Sequence, residues 1–429
     1  EELSLEKAIE YGISNSHDIA IVQNDANIIK NSNHLGASGM LPSISISSGY
    51  NGSYTNDNID WIFEGQDVDD ANGFSSMFSD VDIGGEKNKS LNISQSISLS
   101  YRLFNGFSGI YTLSKFDKQN TIADENIRYQ IESKILEIVN QYYDLLNKNN
   151  IYTTFKTTHA ISLDRYSQAL EKYNFGSISK RELLNIEVVL NEDKIKMDEA
   201  FINAQSSKLN LALIIGIEAS SFSISQDFNF NQNMAIKDLL SQMNNNNSSI
   251  LMAELNYKVA QDELKISKSS FLPTVNLVSS YAYNYNKTGS GLFSKQEDRG
   301  LRGGISVEIP LFSGNMRRKN LQNAKINLDS RFHYLENIKN TIKTALLNAY
   351  YSYEDGLNSL ELMKKNVATA EKNYAMSKEL YEMGQLSNIE YRESQIQLDQ
   401  IRINYSVKLS ATKIQEYVIY QLSGQLKTD

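Results

Sequence analysis

The residues best placed to do chemistry in this chain are carboxylates at two related turns. The stretches YNFGSISKRE from Tyr173 and YEMGQLSNIE from Tyr381 each run from a tyrosine to a glycine, Gly176 or Gly384. A serine follows, Ser179 or Ser387, and three residues later a glutamate, Glu182 or Glu390; Glu393 comes next in the second copy. Glycine suits the left-handed residue that ends a helix, and Ser-x-x-Glu is the spacing of a capping box that restarts one. Capping accounts for Glu182 and Glu390 but leaves Glu393 without a local role. The chemistry such carboxylates offer is electrostatic: gathered at a constriction, they favour cations and raise one another's pKa values.

Catalytic chemistry is not visible. The four histidines, His17, His34, His159 and His333, are scattered without metal-ligand spacing, and cysteine is absent. No glycine loop suited to phosphate and no nucleophile elbow occurs. The reading is therefore a non-enzyme with no catalytic residues, no metal and no cofactor. A run DVDDANG from Asp67 has calcium-loop character, but its sixth position is Asn72 and no glutamate closes it at the twelfth. A solvated loop explains it better.

Composition sets the outer limits. The 429 residues carry 41% hydrophobic and 22% charged side chains, a formal charge of -9 and a mean hydropathy of -0.41. No apolar run approaches the roughly 18 residues of a membrane-spanning helix. The negative charge, without a basic stripe, argues against a nucleic-acid partner. Absence of cysteine fits an oxidising envelope compartment without proving it. No charged-then-apolar leader is present, so any export signal is expected to have been removed already.

The elements that position the two turns come in duplicate. A slide of 231 residues lays LPSISISSGY at Leu41 on LPTVNLVSSY at Leu272. A slide of 208 lays RLFNG on PLFSG, Tyr173 on Tyr381 and Gly216 on Gly424. The chain reads as a first repeat over 1–217, a linker over 218–231 and a second repeat over 232–429. The difference between the slides is an insertion in 55–89 that holds the only tryptophan, Trp61, and many acids.

Each repeat is expected to hold two strands, at about 41–56 and 89–104, then at about 272–287 and 300–312. Their residues alternate strictly. Ile44, Ile46, Ile93, Ile97, Leu99, Leu103, Val275, Leu277, Ile305 and Val307 fall on one parity; serine and asparagine dominate the other. Pro42 and Pro273 are expected to stop helices before strands, and Pro310 to sit near a strand end. Four strands cannot close a barrel, and open edges in hydrocarbon leave backbone groups unpaired. Either several chains share one barrel with the apolar parity on lipid, or the strands form a soluble sandwich.

Between the strands the period becomes helical. Ile131, Ile135, Ile138, Tyr142, Leu145, His159, Leu163, Tyr166 and Leu170 step by three, four or seven, as do Leu335, Ile338, Ile342, Leu346 and Tyr353. Long helix hairpins are predicted over about 107–216 and 315–424, with tips near Gly176 and Gly384. A helix from Gly109 to Asn174 extends on the order of 100 Å. Rods of that length joined to a few strands do not make a compact sandwich, which favours the membrane reading.

Taken in order and twice over, the doubled LP, the strand-ending LFNG and LFSG, the two tip motifs and the closing LIIG and QLSG resemble the outer-membrane efflux family, the TolC-like channel-tunnels, along essentially the entire chain. The resemblance implies a mixed α and β fold: a long antiparallel α-helical coiled-coil barrel continued by a transmembrane β-barrel, four strands per protomer and twelve in a homotrimer. It implies an outer-membrane location in a Gram-negative bacterium, extending into the periplasm. It also implies a periplasmic adaptor protein and an inner-membrane transporter as partners, with passive outward conduction of drugs, metals or secreted proteins.

By the same resemblance Glu182, Glu390 and Glu393 match acidic positions at the periplasmic entrance, and Tyr381 matches the tip tyrosine of the gate. Tyr173, Gly176, Ser179, Gly384 and Ser387 would form the tip that docks the adaptor. The basic latch residue of some members is replaced by Leu386. Tyr173 and Tyr381 remain equally readable as seam residues. The competing function is a soluble trimeric coiled-coil scaffold or adhesin with a β cap.

Overall fold

The computed structural model describes residues 2–56, 87–225, 228–288 and 294–426. The insertion loop with Trp61, and the DVDDANG run within it, lie outside the described residues. The chain divides into two compact units, each of which draws on both sequence repeats.

One unit (residues 32–116 and 261–326) is built on a four-stranded antiparallel sheet. Its strands are β2 (Ser43–Asn56), β3 (Lys87–Asn105), β5 (Thr274–Thr288) and β6 (Lys295–Glu308), in the order β2-β3-β5-β6. β2 and β6 are therefore its edges. Register aligns like with like: Ile46 opposes Ile97, which opposes Tyr281, which opposes Leu301. On the other face Ser47 bonds Ser96 at 2.8 Å and Ser53 bonds Ser90 at 2.6 Å.

Some strand limits differ from the sequence reading. β6 begins at Lys295 and ends at Glu308, so Pro310, which lacks a backbone donor, lies beyond the ladder. A bulge between Arg102 and Phe104 brings Phe104, rather than Leu103, opposite Val275. The preceding helix ends at Asn31, well before Pro42, and the chain turns through Gly39 at φ +73° first. Strand passes to helix at Gly106-Phe107 and at Gly314-Asn315, all four residues with positive φ. At Gly106 a Cβ would meet the Ser269 carbonyl oxygen at 2.5 Å, so this corner admits only glycine.

The other unit (residues 1–31, 117–260 and 327–429) is helical. Helices α1 (Leu5–Ser14) and α2 (His17–Asn31) open it. The long helices α3 (Ser108–Asn174) and α7 (Met316–Glu382) have 67 residues each, and their return partners α4 (Lys180–Ile215) and α8 (Asn388–Ser423) have 36 each. Two short helices, α5 (Ile236–Asn246) and α6 (Ser248–Ser269), lead toward β5. The segment read as a linker carries β4 (Ser223–Ile224), paired in parallel with β1 (Glu2–Leu3). Phe222 beside it is buried with Tyr142, Tyr143 and Leu211, which explains why this stretch is ordered.

The seam of α3 shifts by one residue toward its tip. His159, Leu163, Tyr166 and Leu170 were expected inside, but Thr158, Ser162, Arg165 and Ala169 are the buried set. α4 and α8 also bury small and polar residues, Asp193, Ala200, Ala204 and Ser207 on one and Ser394, Gln395, Ser406 and Ser410 on the other. Meanwhile Leu184, Val188, Ile195, Ile202 and Leu209 of α4 are exposed, the last four at seven-residue intervals. Such a stripe is the contact face of a coiled coil.

Gly216 and Gly424 end α4 and α8 in left-handed geometry. A Cβ on Gly424 would meet the Asn246 backbone at 2.5 Å, whereas one on Gly384, at φ +75°, meets nothing within 4 Å. Gly384→Ala is expected to cost about 1 kcal/mol of backbone strain, and Gly424→Ala clearly more. Thermal unfolding followed by helical circular dichroism checks the order of the two.

Candidate functional site

The two hairpin tips lie in the helical unit and are built alike. After α3, Gly176 (φ +71°) lets the Ser177 N–H reach the Lys172 carbonyl at 2.8 Å; after α7, Gly384 lets the Gln385 N–H reach the Leu380 carbonyl at 2.9 Å. This is the Schellman ending. Ser179 and Ser387 then cap α4 and α8, accepting from the Glu182 and Glu390 N–H groups at 3.2 and 3.3 Å. Only the second cap is a full box, with the Glu390 carboxylate accepting from the Ser387 N–H and hydroxyl at 3.0 and 2.6 Å.

Those two bonds, the hydroxyl foremost, hold the fully exposed Glu390 below the usual carboxylate range. Within one chain the cap thus moves Glu390 opposite to the mutual raising expected of clustered acids. Glu182 and Glu393 are exposed. Tyr173 is exposed with Lys180 over its ring at 5.4 Å, and Phe175 stands out at 84% exposure. Tyr381 is half-buried and stacks on Tyr391 at 4.9 Å, with Lys172 over its own ring at 5.7 Å.

Behind the tips the structure joins the two hairpins through residues that the sequence reading did not single out. Asp193 of α4, 1% exposed, accepts from Arg392 of α8 through one oxygen and from Ser162 of α3 at 2.5 Å through the other. Arg392 also donates to Gln395 at 3.1 Å. Arg165 of α3 donates to Asn388 and lies over the Tyr391 ring at 5.2 Å. The Tyr391 hydroxyl bonds that of Tyr374 at 3.0 Å, and burial pushes its pKa up. Removing one partner of a buried pair such as Asp193–Arg392 typically costs about 3–5 kcal/mol.

A signal for this cluster was available. Thr158, Ser162, Arg165 and Ala169 are spaced at four, three and four residues, a seam interval, but apolar content drew the reading to the neighbouring set. Among the described residues no group of three or more histidines, aspartates or glutamates is placed to hold a metal ion.

On the sheet, the strand residues expected to meet lipid share one face by register. Ile44, Ile46, Ile97, Ile305 and Val307 are exposed, Ile46 at 78%; Ile93, Leu99, Val275 and Leu277 of the central strands are half-buried. No described helix is long and apolar enough to cross a membrane.

Asp399 of α8 carries a pH signature. Burial raises its pKa, against the Thr158 hydroxyl, which donates at 2.7 Å, and the charges of Arg392 and Arg402; Asp193 adds to the rise. A carboxyl that binds its proton more tightly when folded gives greatest stability below the unfolded pKa and loses it as pH rises through the folded value. Asp399→Asn is therefore expected to be more stable than wild type at neutral pH, with the gap closing as pH falls below the ordinary aspartate range. Unfolding midpoints measured across that range check the sign.

The outer membrane efflux protein family model matches residues 239–425. The outer membrane protein TolC of Salmonella enteritidis is 21% identical over 301 residues, covering 68% of this chain and 60% of that protein. The chain thus spans less than two thirds of the length of that relative. A membrane protein from Pseudomonas aeruginosa superposes with a TM-score of 0.79 at 13% identity, covering 99% of this chain and 91% of the other. The Campylobacter jejuni CmeC outer membrane channel superposes with a TM-score of 0.78 at 16% identity, covering 98% and 85%. These structures share the mixed α and β fold. The second repeat thus matches the outer membrane efflux protein model, and the chain is similar to TolC-like outer membrane channels.

Proposed function

We propose that the chain is the outer-membrane exit duct of an efflux or type I secretion assembly, acting as a homotrimer in a Gram-negative envelope. Three four-stranded sheets would close one twelve-stranded barrel, with the isoleucine face on lipid and the serine face on a water-filled lumen. The helical units would stand in the periplasm, where an adaptor and an inner-membrane transporter supply the cargo. Conduction would be passive, with no catalytic step.

The observation that carries this reading is the sheet itself. It has two open edges of 14 residues each and an exposed apolar face. Strands of roughly 9–11 residues suffice to cross a bilayer at a tilt. Unpaired edge groups cost several kcal/mol each in hydrocarbon, so closure by further copies is the physical solution. The seven-residue stripe on α4 offers the same copies a helical contact. A soluble scaffold would leave both the isoleucine face and the edges in water, where they invite aggregation.

In this assembly Glu182, Glu390 and Glu393 would recur three times around the entrance and set a cation preference, while Tyr173, Gly176, Ser179, Gly384 and Ser387 would present the adaptor-docking tip. Tyr381 would act from within the tyrosine stack on Tyr391.

Two measurements follow. The pair Ile97→Asp and Leu99→Asp should abolish the assembled oligomer on a non-denaturing gel, since charged side chains on the lipid face of a barrel are destabilising; Ser96→Asp and Ser98→Asp should leave it assembled. In planar bilayers the wild type should conduct with cation preference, and Glu390→Gln with Glu393→Gln should reduce that preference and divalent block. Absence of conductance would defeat the duct reading; unchanged selectivity would defeat the entrance assignment alone.

A further inference from the structure

We propose that a cavity beside Arg165 in the helical unit binds a small aromatic carboxylate, a site that stands apart from the duct reading and does not require it. The cavity has a volume of about 290 Å³ and is lined by Arg165 of α3, by Tyr374 and Tyr381 of α7 and by Tyr391 of α8. Arg165 is only 5% exposed. One of its nitrogens, Nη2, donates to the neutral side chain of Asn388; Nε and Nη1 have no acceptor.

No carboxylate accepts a hydrogen bond from this guanidinium. Asp193 has one oxygen committed to Arg392 and the other to Ser162, and acts on Arg165 only through its charge. The charge of Arg392 also presses against Arg165, and burial, the larger effect, lowers the pKa of Arg165. Guanidinium nonetheless stays protonated in proteins. The Nε and Nη1 of Arg165 are thus buried charged donors without an acceptor, and such groups are costly until an acceptor meets them.

The shape of the site selects the anion. A planar carboxylate makes strong, charge-assisted hydrogen bonds with guanidinium donors. Tyr374, Tyr381 and Tyr391, stacked within 17° of parallel, offer ring faces to a flat apolar tail. One guanidinium with two unpartnered donors matches a single carboxylate. At the rim Asp164 and Glu382 repel more highly charged species, Asp164 held by Gln168 at 2.9 Å and Glu382 beside Lys378 at 3.9 Å. A volume at the low end for ligand pockets matches a single-ring compound.

Benzoate and its neutral isostere benzamide are the probes, titrated by calorimetry against the purified full chain. Benzoate should bind saturably, with benzamide at least about tenfold weaker; Arg165→Gln should weaken benzoate at least about tenfold, and Arg165→Lys should restore part of the loss. Helical circular dichroism establishes that each variant is folded. If Arg165→Gln fails to fold, the benzoate and benzamide comparison on the wild type decides by itself. No binding of benzoate, equal binding of benzamide, or full affinity in a folded Arg165→Gln protein would overturn the proposal.

Discussion

A sheet with unpaired edges and an uncovered apolar face is the constraint on which the remainder of this molecule depends. β2 and β6 each present a row of backbone donors and acceptors, and Ile44, Ile46, Ile305 and Val307 lie exposed on those same strands. In water such edges are an aggregation hazard, and in hydrocarbon they are untenable unless paired. On the proposed reading the edges of one copy meet those of the next, and the duplicated sequence is what supplies two hairpins per chain for the purpose.

The helical unit shows a related inversion. α4 and α8 bury serines, alanines, Asp193 and Gln395 while α4 leaves leucines, isoleucines and a valine exposed at seven-residue spacing. Small buried residues allow close helix approach, as at Gly356, where a Cβ would lie 2.5 Å from the Thr412 hydroxyl oxygen. The buried polar groups are mostly bonded, as around Glu416, which accepts from Lys413 at 2.9 Å and from Tyr420 at 3.0 Å. A helix that buries small and polar side chains along part of its length and leaves an apolar stripe exposed has that face prepared for a partner, and on the proposed reading identical copies supply it.

Much of this was legible because the signals are periodic. Strict two-residue alternation from Ser90 to Arg102 lies on β3, and three-four spacing from Ile131 to Leu145 lies on the buried face of α3. The Ser-x-x-Glu spacing marks the starts of α4 and α8, though the reciprocal bond forms only at Glu390. What escaped was the seam near the tips, where the buried set carries Thr158, Ser162 and Arg165. Apolar periodicity points there to Leu163 and Leu170, residues left outward in a single chain. Pairs such as Asp193–Arg392, 199 residues apart, leave no trace in local spacing. The bulge at Leu103 is equally silent, because one extra residue changes a side chain's face without changing the composition.

The most direct measurement is the native mass of the purified protein with and without detergent. Closure by copies predicts particles of three 48.5 kDa chains that require detergent to stay dispersed. A stable, monodisperse single chain in plain buffer would contradict it, because the sheet edges and the isoleucine face would then have found their partners within one molecule.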